Sequence, residues 1–292
     1  IIQEMKKLGV DVKGFNTAFA GDIPLGAGLS SSAALESCYA CALNDLFGEN
    51  KVSKWDMALA GQATEHNYCG VNCGIMDQFA SAMGKKNHAI YLDCATLDYK
   101  LVPLNIEGCR IVISNTKKKR SLADSKYNER RSECEAAVEI LKNSLPGITC
   151  LADVGPADFE AHKSEIENET VRKRAEHVVY EIDRVVKSVD ALEKNDIAEF
   201  GRLMNASHDS LRDLYEVTGI ELDTLVEEAR KIPGTVGSRM TGAGFGGCTV
   251  SIVKEEYVDE FIEKVGAVYK EKIGYPAEFY VSEIGDGGRE IK

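Results

Sequence analysis

The chain has 292 residues, 44% of them hydrophobic, with a formal net charge of −12 and a pI near 5.0. That length and apolar content allow one large or two modest domains with a real core, while the acidic balance argues against a nucleic-acid binder. The one basic run, Lys117 to Arg120, is short enough to be a solvated turn, and no stretch is apolar for long enough to cross a bilayer. The nine cysteines are odd in number and scattered, a pattern of reduced thiols in a cytoplasmic protein. Cys38 with Cys41 and Cys69 with Cys73 have metal-like spacing, but zinc would need all four to converge, and Cys38 and Cys41 read as small buried residues of a helix.

In chain order, Ile1 to Leu8 followed by Gly9 reads as the last turns of a helix with its C-cap. A domain seldom begins there, so the chain is expected to lack its true N-terminal segment. Gly14 to Phe19 is predicted to form a strand leading into Pro24-Leu25-Gly26-Ala27-Gly28-Leu29-Ser30-Ser31-Ser32-Ala33-Ala34-Leu35-Glu36. Closely spaced glycines followed by three serines and then helix formers suit a tight loop at a helix N-terminus. Unpaired backbone N–H groups and the helix dipole make such a place a phosphate cradle. An ordinary Gly-Ser turn capping a helix has the same composition. The stretch is neither a Walker A loop, which needs Lys-Ser or Lys-Thr after its last glycine, nor a Rossmann fingerprint.

Helices are then predicted over residues 30 to 46, 55 to 68 and 77 to 83, and strands over 89 to 94, 99 to 104 and 111 to 114. Helical periodicity follows at 124 to 144, 170 to 194, 196 to 214 and 220 to 231, with a loop over 145 to 157. Strands at 236 to 241 and 248 to 253 flank a glycine-rich stretch, Gly237 to Cys248, and a helix at 255 to 272 precedes a final strand at 277 to 284. The class is α+β, with a domain boundary placed near residue 105, giving domains 1–105 and 106–292.

Three places can carry chemistry. Gly237 to Cys248 is either a tight turn between strands or backbone stripped of side chains for close approach to a ligand. Asp77, in Cys73-Gly74-Ile75-Met76-Asp77-Gln78, is either a helix N-cap or a carboxylate set beside a substrate hydroxyl. Glu65, near a helix end, is either a solvated side chain or a partner of a serine hydroxyl on Mg²⁺, which prefers oxygen ligands.

Taken together, the Pro24–Ala34 loop, Cys73–Gln78 with Met83-Gly84, Ser125-Lys126-Tyr127 with Arg130-Arg131, and Gly237–Cys248 resemble the GHMP family of small-molecule kinases over nearly the whole chain. Within that family they are most similar to the branch that phosphorylates galactose. The resemblance implies an N-terminal domain like domain 2 of ribosomal protein S5, incomplete at its start, and a ferredoxin-like C-terminal domain. It implies ATP phosphates held by Gly26, Ala27, Gly28, Leu29, Ser30, Ser31 and Ser32. It also implies Mg²⁺ on Ser31 or Ser32 and Glu65, sugar contacts from Gly74 and Tyr127, and Asp77 as the group that receives or orients the proton of the sugar C1 hydroxyl. Galactose and ATP would be the partners of a monomer, with no nucleic acid and no membrane. The family's first motif, Gly-Arg-x-Asn-Leu-Ile-Gly-Glu-His-Thr-Asp-Tyr, is absent and would precede residue 1. On that reading this chain by itself lacks turnover. Another sugar kinase of the family, or an inactive galactose and ATP sensor, is the alternative.

Overall fold

A computed structural model describes residues 1–23, 29–71, 73–118 and 123–291, with backbone alone at 123–125. The chain forms two compact units, Ile1–Asn105 together with the segment from Ile284 onward, and Ile106–Glu283.

The first unit is mostly helical. It contains α1 (Ile2–Lys7), α2 (Ser31–Phe47), α3 (Lys54–Thr64), which runs on as a π-turn (Glu65–Cys69), and α4 (Met76–Met83). An antiparallel hairpin of β1 (His88–Leu92) and β2 (Tyr99–Pro103) follows. The Ser53 hydroxyl starts α3 by accepting from Asp56 N–H at 3.1 Å. Asp93 builds the hairpin turn by accepting from the N–H groups of Ala95 and Thr96 at 2.8 and 3.1 Å. Met5, Ala40, Leu43, Met57 and Ala60 make one buried cluster, and Ala58, Ile75, Phe79 and Ala82 another. Phe79 sits edge-on to both Trp55 and Tyr99, at ring separations of 5.3 and 5.2 Å, and this aromatic group fixes α4 to α3 and the hairpin.

The second unit holds a four-stranded antiparallel sheet in the order β4-β5-β3-β6. Its strands are β3 (Cys109–Asn115), β4 (Thr235–Thr241), β5 (Cys248–Lys254) and β6 (Glu278–Ser282). Its helices are α5 (Ala123–Leu141), α6 (Pro156–His162), α7 (Glu169–Glu193), α8 (Ile197–Ser210), α9 (Ile220–Arg230) and α10 (Val258–Ile273). Val112 and Val253 of the sheet pack on Leu225 and Ala229 of α9 and on Phe261, Val265 and Tyr269 of α10. A separate core joins α5, α6 and α7 through Leu141, Phe159, Ala175 and Val179.

β4 is an edge strand, and α8 closes it. Asn205 Oδ1 accepts from Ser238 N–H at 2.9 Å, and His208 Nδ1 accepts from Met240 N–H at 3.1 Å. These are outward-facing groups that would otherwise offer a template for another strand. The approach is close enough that a Cβ on Gly201 would lie 2.1 Å from the Val236 carbonyl oxygen.

Several sequence expectations change, among them the helix expected at 55 to 68, which ends as α-helix at Thr64. Residues 14 to 19 form no strand; no described strand lies alongside to take their hydrogen bonds, and they are anchored instead by Phe15 on Phe47 and Phe19 on Tyr39, at ring separations of 5.9 and 6.2 Å. The pattern at 196 to 214 ends as α-helix at Ser210, and Leu211–Tyr215 is a π-turn. Pro156, read as part of a loop, is the first residue of α6, where its missing N–H costs nothing. The segment from Ile284 onward belongs with the first unit because Gly287 N–H donates to the Gly84 carbonyl at 2.7 Å and Gly288 N–H to that of Ser81 at 2.9 Å. No helix among the described residues is long and apolar enough to span a membrane, and among them none of the nine cysteines is in a disulfide.

Gly201→Ala should cost about 1–3 kcal/mol or more by forcing α8 off β4. Gly14→Ala, with nothing within 4 Å of its Cβ, should be near neutral. Urea unfolding of the two variants checks the contrast.

Candidate active site

The N-terminus of α2 begins abruptly. Ser30 is its N-cap with φ 57° and ψ 40°, a left-handed conformation, and its side chain caps no helix N–H. Ser31 and Ser32 are the first helical residues, so their N–H groups are among those a helix cannot pair internally. Leu29 is half-buried beside them. Gly26, Ala27 and Gly28 lie outside the described residues. One turn after Ser32, on the same helix, comes Glu36, a carboxylate only 8% exposed.

Glu36 faces two neighbours from other helices. Gln78 of α4 donates from Nε2 to Glu36 Oε2 at 3.3 Å, and Glu65, also 8% exposed, comes within hydrogen-bonding reach from the π-turn after α3. Gly61 makes the room, since a Cβ there would stand 2.9 Å from Gln78 Cγ and 3.2 Å from Glu36 Oε2. Burial pushes the Glu36 carboxyl up to about 7; the Gln78 N–H opposes this and the Glu65 charge adds to it. Gln78 Oε1 is buried with no hydrogen-bond partner among the described residues.

Two close buried carboxylates and an amide oxygen with no partner among the described residues form an all-oxygen set with excess negative charge, and serine hydroxyls begin the helix that carries Glu36. That chemistry suits Mg²⁺, which takes one or two carboxylates and fills its remaining positions with water and phosphate. Among the described residues no cluster of three or more His, Cys, Asp or Glu stands ready to cage an ion by itself.

Asp77 lies in the first turn of α4, exposed, and no described residue hydrogen-bonds its carboxylate. Ile75 is the N-cap, and Asp77 makes no side-chain cap. The approach to Asp77 is held by two side chains on one carbonyl: Gln62 Nε2 donates to Cys73 O at 3.2 Å, and His66 Nε2 lies 2.9 Å from the same oxygen. Gly74, the next residue, faces open space, with nothing within 4 Å of a Cβ position. In the second unit, Tyr127 is 51% exposed on α5. There too, the glycine stretch between β4 and β5 has four residues in a row with positive φ, Gly244, Phe245, Gly246 and Gly247, at 82°, 56°, 114° and 88°.

Sequence reasoning placed Ser30, Ser31, Ser32 and Glu65 but assigned nothing to Glu36, Gln62, His66 or Gln78. Glu36 had a visible signal, the single charge in the otherwise uncharged run from Ala33 to Leu43.

Glu36 also makes stability depend on pH. Unfolded, it titrates near 4.5; folded, near 7. The folded state therefore binds the proton more tightly, so this group's stabilising contribution is complete below about pH 4.5 and is lost as pH rises through 7. Glu36→Gln should leave stability at pH 5 nearly unchanged and raise it at pH 8 by about 1–2 kcal/mol, a difference that urea unfolding at the two pH values will measure.

Comparison with known proteins identifies the family. Residues 1–85 match the GHMP kinases N terminal domain, and residues 188–271 match the GHMP kinases C terminal domain. The galactokinase of Clostridium acetobutylicum is 54% identical over 292 residues, all of this chain and 75% of the relative. That of Bacillus subtilis is 53% identical over 293 aligned positions, again all of this chain and 75% of the relative. The crystal structure of Lactococcus lactis galactokinase in complex with galactose superposes with a TM-score of 0.88 at 43% identity, covering 99% of this chain and 74% of that one. With both family domains matched and more than half of its residues shared with such relatives along its whole length, the chain belongs to the galactokinases of the GHMP kinase family.

Proposed function

We propose that the protein expressed from the complete gene transfers the γ-phosphoryl group of ATP to the C1 hydroxyl of D-galactose, giving galactose 1-phosphate. The observation that carries this is likeness along the whole chain, 54% identity over all 292 residues to a galactokinase, together with close structural agreement with a galactokinase holding galactose. The chain is an ATP-dependent sugar kinase by family.

In this reading the N–H groups of Ser30, Ser31 and Ser32 at the start of α2, with the loop of Gly26, Ala27, Gly28 and Leu29 before them, bind the ATP phosphates. The positive end of α2 supports that charge. The hydroxyl of Ser31 or Ser32 and the Glu65 carboxylate would hold Mg²⁺, with Glu36 beside Glu65 adding negative potential. Magnesium, when bound, supplies neutralisation of the phosphate charge. The glycine stretch 242–247 brings backbone to the nucleotide without side chains in the way.

Gly74 and Tyr127 contact the sugar, and Asp77 receives or orients the proton of the attacking hydroxyl. The C1 oxygen bonds to the γ-phosphorus, the bond from that phosphorus to the β–γ bridging oxygen breaks, and the hydroxyl proton leaves toward Asp77. Little covalent work falls to the protein in such a transfer, so positioning dominates. A monomer working in the cytoplasm completes this reading.

Protein expressed from its complete gene should phosphorylate galactose far faster than glucose or N-acetylgalactosamine with MgATP in a coupled assay. A better rate on either competitor removes the assignment. Asp77→Asn should lower turnover by about 10²- to 10⁴-fold while leaving nucleotide affinity nearly unchanged. Lost nucleotide affinity in that variant would instead assign Asp77 a structural role at the start of α4.

A further inference from the structure

In the second unit, α5, α7 and the π-turn after α8 enclose a cluster of charges with no part in the chemistry above. Arg174 is 2% exposed and Arg130 6%. Arg174 donates from Nη1 to the Leu214 carbonyl at 2.5 Å, from Nη2 to Glu216 Oε2 at 2.8 Å and from Nε to Glu133 Oε2 at 3.0 Å. Arg130 donates from Nε to the Tyr215 carbonyl at 2.7 Å and from Nη2 to the Glu216 carbonyl at 3.4 Å. Its Nη1 reaches Glu133 Oε2 at 3.0 Å and Glu129 Oε1 at 3.1 Å. Two guanidinium groups, bridged by the single carboxylate of Glu133, thus take three successive carbonyls, those of residues 214, 215 and 216. These are the acceptors that the end of a helical segment leaves unpaired.

The consequence lies one residue further on. Glu216 turns the chain in the left-handed region, at φ 55° and ψ 50°. Val217 N–H then folds back to the Leu211 carbonyl at 3.2 Å, and the Val217 carbonyl accepts from Phe245 N–H at 2.7 Å. Phe245 is the middle of the glycine stretch, and a Cβ on Gly244 would stand 2.3 Å from Val217 O. The stretch is thus held at its end by Thr116, whose N–H and hydroxyl donate to the Gly247 carbonyl at 2.9 and 2.8 Å, and at its middle by the Val217 carbonyl, which is placed by the turn the two arginines hold.

We propose that Arg130 and Arg174 are positioning residues for the glycine stretch 242–247, acting through the carbonyls of residues 214–216 and the Val217–Phe245 hydrogen bond. The proposal rests on the reading that this stretch serves the nucleotide. A pure packing role, pinning α5 to α7, would lower stability without selecting one substrate. Arg174→Lys keeps the charge but loses the fork that serves two carbonyl and carboxylate partners at once.

Steady-state kinetics on protein expressed from its complete gene, with thermal unfolding of the same samples, tests it. Arg174→Lys should raise the KM for MgATP roughly 3- to 30-fold. The KM for galactose should stay within about twofold of wild type. Should that variant fail to fold, Glu216→Gln, which touches only a half-exposed carboxylate, should shift the MgATP KM in the same direction by less. A lowered melting temperature with an unchanged MgATP KM, or equal changes in both KM values, overturns the proposal. Gly244→Ala, which presses on Val217 O, separates the two readings. If it raises the MgATP KM while the arginine and Glu216 variants do not, the positioning role alone falls. If it leaves the MgATP KM unchanged, the nucleotide reading of the stretch falls, and the positioning role with it.

Discussion

Irregular backbone must still satisfy its N–H and C=O groups, and in this chain that constraint decides where polar side chains are buried. A buried backbone group without a partner costs as much as a lost hydrogen bond. Helices and ladders meet the requirement for themselves; loops near a ligand cannot. The structure answers with side chains aimed at main chain. Gln62 and His66 take the Cys73 carbonyl ahead of Asp77. Asn205 and His208 take the Ser238 and Met240 N–H groups of the β4 edge. Arg130 and Arg174 take the carbonyls after α8. The first two segments lead along the chain into stretches with a proposed role in binding or chemistry, and the third reaches one through the Val217–Phe245 hydrogen bond.

Histidine illustrates how specific these contacts are. His208 Nδ1 accepts from a backbone N–H, so its proton sits on Nε2, which lies 3.2 Å from Asp223 Oδ1 on α9. His177, by contrast, is stacked on Tyr215 with ring centres 4.5 Å apart, and burial pushes it down to about 4, which keeps it neutral against the aromatic ring. Neither ring is solvent-facing, and a charged imidazole would disrupt both arrangements. Glu36 is the opposite case: it is buried with a carboxylate neighbour and an amide whose oxygen has no partner, so its surroundings are incompletely satisfied by the described protein groups. Incomplete satisfaction beside a helix N-terminus is what a site reserved for a cation and phosphates requires.

Local chemistry was legible in the sequence and distant pairing was not. The start of α2, the short helix bearing Asp77, the β1–β2 hairpin and the strands around the glycine stretch all rest on neighbouring residues: serine at a helix start, Asp93 in a turn, β-branched runs. A strand at 14 to 19 was expected from the same kind of pattern and did not form, because a strand depends on a partner as much as on its own residues. The short helix α6 escaped notice since Pro156 marks loops and helix starts alike, and Phe159 is its one buried apolar anchor. Glu36 and Gln78 are 42 residues apart, and Arg174 and Leu214 are 40 apart. No spacing rule relates them; only the packing of separate helices brings them together.

This division has a chemical basis. Phosphoryl transfer asks for backbone N–H groups, a few oxygens and a base, all fixed in place, and the residues proposed to supply them sit on short motifs that read plainly. Fixing them in place asks for partners anywhere the fold can provide them. Bond directions at a carbonyl are broad but distances are not, so an arginine with a planar fork can set two carbonyl groups at once where a lysine would set one. Arg130 and Gln78 lie within the stretches that carry the family resemblance, whereas Arg174, Gln62, His66 and His208 lie outside them and still hold backbone in place. A serine loop placed at the start of α2 is chemically complete as a sequence, but its usefulness depends on Gly61 staying small enough for Glu36, Glu65 and Gln78 to meet.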